Sequence, residues 1–173
     1  MEIRKARREE YKKVREFYDR IIDLMESEPY SPGWKKGIYP EDEALKKAIN
    51  KQEMFIGIQN NEIIAAMVIN HECNESYQKI QWKNDYLTNE VMVIHILGVL
   101  PTYGNQGLGK ELVKQAIDYA KSHQQKALRL DVLEGNIPAE KLYISMGFQY
   151  YETISMYYED TGWTNYEVYE YEL

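Results

Sequence analysis

The stretch PTYGNQGLGKEL, residues 101–112, constrains this chain more than any other. An apolar run, VMVIHILGV (91–99), leads into it, and Leu108, Leu112, Val113, Ala116, Ile117 and Ala120 follow it at helical spacing. A strand, a glycine loop and a helix in that order belong to a chain of mixed α and β structure. Glycines permit positive φ and let backbone N–H groups converge, and the helix adds its unpaired N–H groups and its dipole. The segment therefore suits a phosphate or pyrophosphate, although a ligand-free strand-to-helix turn has the same pattern. Gly104, Gly109 and Lys110 also fit GxxxxGK, the body of a nucleotide-binding P-loop, and the strand LRLDV ends near Asp131 as a magnesium-binding strand would. Three features oppose that reading. Glu111 stands where a Ser or Thr should hold magnesium, Pro101, Thr102 and Tyr103 delay the first glycine, and the chain after Gly109 is too short for the remaining βα units.

The surrounding pattern can be read element by element. EIRKAR (2–7) alternates as a strand, and from Glu9 to Met25 the residues Val14, Phe17, Tyr18, Ile21, Ile22 and Met25 recur at spacings of three and four, as on an amphipathic helix. SEPYSPGWKKGIYPED is a loop rich in Pro and Gly, and a second helix spans about 41–51. MFIGIQ and NNEIIAAMVINHE read as strands joined at Asn60-Asn61, NESYQKIQWKNDYLTN as a polar loop, and KALRLDVL as a strand. Pro138 to Met146 is a short helix stopped by Gly147, and two Tyr-rich strands flank the turn at 160–162. The expected fold is α/β of the α+β type: one domain over 1–173, with a mixed, mainly antiparallel sheet of about seven strands and about four flanking helices.

Charge and composition narrow the partners. Net charge is −7, and from Phe148 to Leu173 there are six acids and no Lys or Arg. Nucleic acid is an unsuitable partner for such a chain, whereas a cationic substrate would be drawn to that end; a merely solvated acidic face fits equally well. MEIRKARREE lacks the apolar core of a signal peptide, no apolar run is long enough to span a membrane, and Cys73 is the single cysteine, so the cytoplasm is the expected compartment and no metal cluster is expected. The Tyr-rich terminal strands carry enough apolar surface for a homodimer edge, or simply complete the sheet.

ILGVLPTYGNQGLGKELV resembles the acetyl-CoA-binding motif of the GCN5-related N-acetyltransferases, the GNAT family. Val99, Pro101, Tyr103, Gly107, Leu108 and Gly109 match it, whereas Gly104 replaces the usual Arg or Gln and Asn105 the usual Gly. LDVLEGNIPAEKLYISMGF resembles the family's second motif, with Leu130, Val132, Asn136, Ala139, Leu142, Tyr143, Gly147 and Phe148 in place. The resemblance implies direct, metal-free acetyl transfer from acetyl-CoA to an amine of a small molecule, peptide or protein. A catalytically silent CoA-binding module and, more remotely, a nucleotide-binding protein are the alternatives.

The same resemblance implies roles for particular residues. Gly104, Asn105, Gln106, Gly107, Leu108, Gly109 and Lys110 would hold the CoA pyrophosphate, with Lys114 and Lys141 as further phosphate contacts. Leu97, Gly98 and Val99 would present free backbone to the pantetheine arm where the strand bulges, and Gly98 suits a bulge. The Leu97 or Gly98 N–H would face the carbonyl oxygen. Tyr143 matches the acid that protonates the leaving thiolate, and Asn136 would bond the pantetheine or hold its own loop. His95 is the candidate base, with Glu90, His71 and Glu72, or a chain of waters, as rivals. Trp34 and Tyr39 lie in the loop that borders the acceptor site in this family.

Overall fold

The computed structural model describes residues 1–173. Its strands are β1 (Glu2–Lys5), β2 (Met54–Gln59), β3 (Glu62–Asn70), β4 (Val91–Val99), β5 (Ala127–Leu133), β6 (Gln149–Tyr158) and β7 (Gly162–Glu172). Its α-helices are α1 (Tyr11–Met25), α2 (Asp42–Asn50), α3 (Leu108–Ser122) and α4 (Ile137–Ser145). The strands form one sheet in the order β1-β2-β3-β4-β5-β7-β6. Every neighbouring pair is antiparallel except β4 and β5, which run parallel. The mixed sheet and four helices agree with the sequence reading.

Periodicity explains the packing. The α1 stripe buries Val14, Phe17, Tyr18 and Ile21, and the α3 stripe buries Leu108, Leu112, Val113, Ala116, Ile117 and Ala120. Between them β3 is buried from Ile63 to Ile69, because apolar side chains on both faces of the strand find cover. Each large aliphatic side chain sealed there contributes roughly 1.5–3 kcal/mol. The polar stretch after β3 forms no strand, in line with its composition, but it is not merely solvated. Tyr77 and Ile80 are buried against Val93, Met156, Tyr166 and Val168 in a second, smaller core. No helix is long and apolar enough to cross a membrane.

Candidate functional site

The parallel pairing of β4 and β5 is short. It runs from Val91↔Ala127 to Val93↔Arg129 and then stops, although both strands continue, to Val99 and Leu133. The two strands diverge, and their facing backbone edges border an open cleft. Such an opening at the carboxyl ends of parallel strands is a common place for a ligand.

A β-bulge drives the divergence. Val68 pairs with His95 and Ala66 with Gly98, so Met67 faces the extra residue in Ile96-Leu97. Ile96 has φ +43°, a conformation that β-branched residues rarely adopt. The Tyr18 hydroxyl donates to the Ile96 carbonyl at 2.9 Å and helps hold it there. This corrects the expectation that Gly98 makes the bulge. Gly98 is needed for space: a Cβ there would lie 2.9 Å from Ile21 Cδ1 and 3.4 Å from the Trp34 ring. Gly98 also sits opposite Ala66, in phase with the Leu100 N–H that bonds the Ile64 carbonyl, so its own N–H faces β3. By alternation Val99 turns its backbone to the opposite side, towards the gap, and Leu97 lines the cleft.

The glycine loop closes one end of this region. Gly107 has φ +79° and precedes α3, and Asn105 also lies at positive φ, +59°. Gly104 is extended, with φ −60°, so its place does not require a glycine's freedom. None of the backbone N–H groups from Asn105 to Lys110 meets a protein acceptor. That row of free donors at a helix N-terminus suits an anion. Gly109 lets α3 approach α4, since a Cβ there would lie 3.1 Å from Leu142 Cδ2. Lys110 and Lys141 are exposed, whereas Lys114 is paired with Asp118 at 2.5 Å.

Tyr143, on α4, lines the cleft with 7 % of its surface exposed, and its ring packs edge-on to Phe148. Burial, then the charge of Asp131, push its phenol well above the usual range, so at neutral pH it carries its proton. Asn136 caps α4 through its backbone carbonyl, which accepts from Ala139 and Glu140 N–H, and its side chain lines the cleft with no capping hydrogen bond.

His95 stands on β4, across the gap from β5, and borders both this cleft and a second one between α2 and β3. Burial lowers its pKa to about 4, against the backbone and charge of Glu72. Its tautomer follows from its neighbours. Asn70 Nδ2 donates to Glu53 Oε2 at 3.2 Å, and Asn70 Oδ1 accepts the Glu72 N–H at 2.9 Å, which fixes the amide. His95 Nε2 lies 2.9 Å from that same Oδ1, so Nε2 carries the proton and Nδ1 is left with a free lone pair. The rival bases are engaged elsewhere. His71 Nδ1 lies 2.8 Å from the Val91 carbonyl, Glu72 pairs with Lys47 at 2.6 Å, and Glu90 accepts the Leu87 N–H at 2.9 Å.

Trp34 and Tyr39 both line the cleft. Sequence reasoning gave no site role to three polar lining residues, Tyr158, Asp160 and Tyr166, and considered Asp131 only as the end of a magnesium-binding strand. Asp131 accepts hydrogen bonds from Tyr77 at 2.8 Å and Tyr158 at 3.0 Å, and burial raises its pKa. The signal was present in ALRLDVL, where an Asp interrupts an apolar strand.

The "Acetyltransferase (GNAT) family" sequence model matches residues 18–148. The N-alpha-acetyltransferase RimI of Mycobacterium tuberculosis is 33% identical over 69 residues, which is 40% of this chain and 42% of that protein. The chain thus matches less than half the length of that relative. The uncharacterized N-acetyltransferase YhfO of Bacillus subtilis is 25% identical over 158 residues, 90% of this chain and 84% of that one. Among solved structures, yncA of Salmonella typhimurium, described as a putative acetyltransferase with its cofactor acetyl-CoA, has a TM-score of 0.72 at 14% identity, covering 100% of this chain and 94% of that one. A family match over most of the chain, on a fold whose strands part where both motifs converge, identifies this protein as a member of the GNAT acetyltransferase family.

Proposed function

We propose that the chain, as a single domain over 1–173, is an acetyl-CoA-dependent N-acetyltransferase with a primary amine as acceptor. The observation that carries this reading is the parting of β4 and β5 between a row of free N–H groups and the pair Tyr143 and His95. The acetyl-CoA-bound relative on the same fold supports the choice of cosubstrate.

Loop N–H groups from Asn105 to Lys110 hold the pyrophosphate, without a metal ion. The pantetheine arm lies along the exposed edge of β4, near Val99 and Leu97, and Asn136 meets it from the β5 side. The Leu97 N–H polarises the thioester carbonyl, since that of Gly98 is turned to β3. The acceptor enters past Trp34 and Tyr39 as a neutral amine, and its nitrogen bonds to the thioester carbon. Attack leaves a cationic nitrogen whose proton is acidic enough for a weak base, and His95 Nδ1 takes it. Collapse of the tetrahedral adduct breaks the carbon–sulfur bond, and Tyr143 gives its proton to the departing thiolate. A proton passed from His95 to Tyr143 through water restores both groups, so the net transfer is from amine to thiol.

The test is thiol release from acetyl-CoA against a panel of primary amines and N-terminal peptides. Release that depends on an amine, and that falls steeply in Tyr143→Phe while acetyl-CoA still binds, supports the reading. Binding of acetyl-CoA with no acceptor turned over identifies a silent CoA-binding module instead.

A further inference from the structure

The end of the cleft beside Trp34 and Tyr39 contains two carboxylates and no protein cation in ion-pair contact with them. Neither Asp131 nor Asp160 forms an ion pair with Lys, Arg or His. Lys35 acts on Asp160 only from a distance. The two acids are in different states. Asp131 is half-buried and already accepts from Tyr77 and Tyr158. Asp160, in the turn between β6 and β7, is 4 % exposed; the N–H groups of Asp160 and Thr161 act on its carboxylate, but its buried Oδ1 has no donor in hydrogen-bond geometry. An orphaned carboxylate oxygen in a cleft is unfavourable until something cationic or donating meets it.

The wall around these acids is aromatic. The Tyr158 ring lies 5.8 Å from Tyr39 and 4.9 Å from Tyr166, and Trp34 borders the same space. The turn is seated against the loop before α2: a Cβ on Gly33 would meet Thr161 Cγ2 at 2.6 Å. Tyr166 is tied to Thr161 by a 2.8 Å hydrogen bond between their hydroxyls. Aromatic faces with carboxylates among them suit an ammonium on an aliphatic chain.

Resting on the transferase reading above, we propose that the acceptor is a linear aliphatic diamine or polyamine, whose second ammonium is held by Asp160 while the reacting amine lies near His95 and Asp131. The reacting nitrogen must be neutral when it attacks, so it cannot neutralise a carboxylate at that moment. A monoamine would leave Asp160 Oδ1 without a cationic partner throughout the reaction. A second ammonium supplies the missing charge and donor, and the methylenes between the two nitrogens pack on Trp34, Tyr39 and Tyr158.

The experiment compares α,ω-diaminoalkanes of increasing length with n-alkylamines and amino alcohols of the same length, at saturating acetyl-CoA. At the best length the diamine should exceed its partners by about ten- to a hundredfold in kcat/KM, chiefly through KM. In Asp160→Asn that ratio should collapse to about one. Urea unfolding reports whether the variant is folded. Equal turnover of diamines and monoamines by the wild type overturns the inference and leaves the transferase reading intact. Should the variant fail to fold, that wild-type comparison decides alone. Should no amine be acetylated, calorimetric titration of the diamine series into the protein decides: binding tighter than that of the monoamines upholds the cation site while the transferase reading falls. Equal or absent binding, or a thermal shift with divalent metal ions in place of diamines, overturns it.

Discussion

His95 is expected to be neutral in the folded protein far into the acid range, and this can be measured as stability. The imidazole titrates near 6.5 in an unfolded chain and near 4 here, because burial disfavours its charged form. Between those values the unfolded state binds more protons, so stability falls as pH drops through the window from about 6.5 to about 4. At about 1.4 kcal/mol per unit, the whole shift is worth about 3 kcal/mol, and roughly 2 kcal/mol of it is lost between pH 7.5 and pH 5.0. Asp131 and Asp160, whose folded pKa values are raised by burial, bind protons more readily when folded and act in the opposite direction. A difference between two proteins removes these contributions. Urea unfolding of the wild type and His95→Gln at both pH values should show the wild type losing about 2 kcal/mol more than the variant. Equal losses would mean that His95 has an ordinary pKa, and the account of its buried, neutral state would be wrong.

Other perturbations have distinct expected outcomes. Tyr143→Phe should lower kcat by about a hundred- to ten-thousandfold with little change in acetyl-CoA affinity, because a single proton donor is removed; stopped-flow thiol detection checks it. Glu170→Gln breaks the buried pair with Arg129, whose Nε donates to Glu170 Oε2 at 2.8 Å, and leaves a guanidinium with one nitrogen already unpartnered. It should cost about 3–5 kcal/mol in denaturant unfolding, because Arg129 then carries an uncompensated charge. Gly98→Val should cost about 1–3 kcal/mol and shift Trp34 fluorescence, because the new side chain meets Ile21 and Trp34.

The fold was legible because its signals are local. Apolar spacing in α1 and α3, the Asn60-Asn61 turn, and Pro138 and Gly147 around α4 each act within a few residues. The glycine loop was legible for the same reason, together with its resemblance to a known family motif. The cleft's chemistry was less so, because it depends on contacts between distant segments. Asp160 looked like a turn residue among solvated acids until the turn was seated against the loop at Gly33. Asn70 and Glu53 gave no sign of fixing the His95 tautomer, since Asn70 meets His95 only through the pairing of β3 with β4 and Glu53 meets Asn70 only beside the pairing of β2 with β3. The bulge at Ile96 was assigned to Gly98 because glycine permits unusual φ. Here the strained residue is the β-branched one, and the glycine serves close packing. The acidic composition at the C-terminal end pointed to a cation, but two of those acids are used elsewhere: Glu170 by Arg129, and Glu172 by Lys83, Asn84 and Tyr86.

The central claim is that the glycine loop binds the pyrophosphate of CoA rather than a nucleotide. Calorimetric titration with acetyl-CoA, beside ATP with magnesium, tests it directly, with Gly107→Glu as the control that puts a negative side chain at the row of free N–H groups. The account predicts micromolar binding of acetyl-CoA by the wild type, none of ATP, and loss of acetyl-CoA binding in the variant. Binding of ATP with magnesium, or of neither ligand, would contradict it.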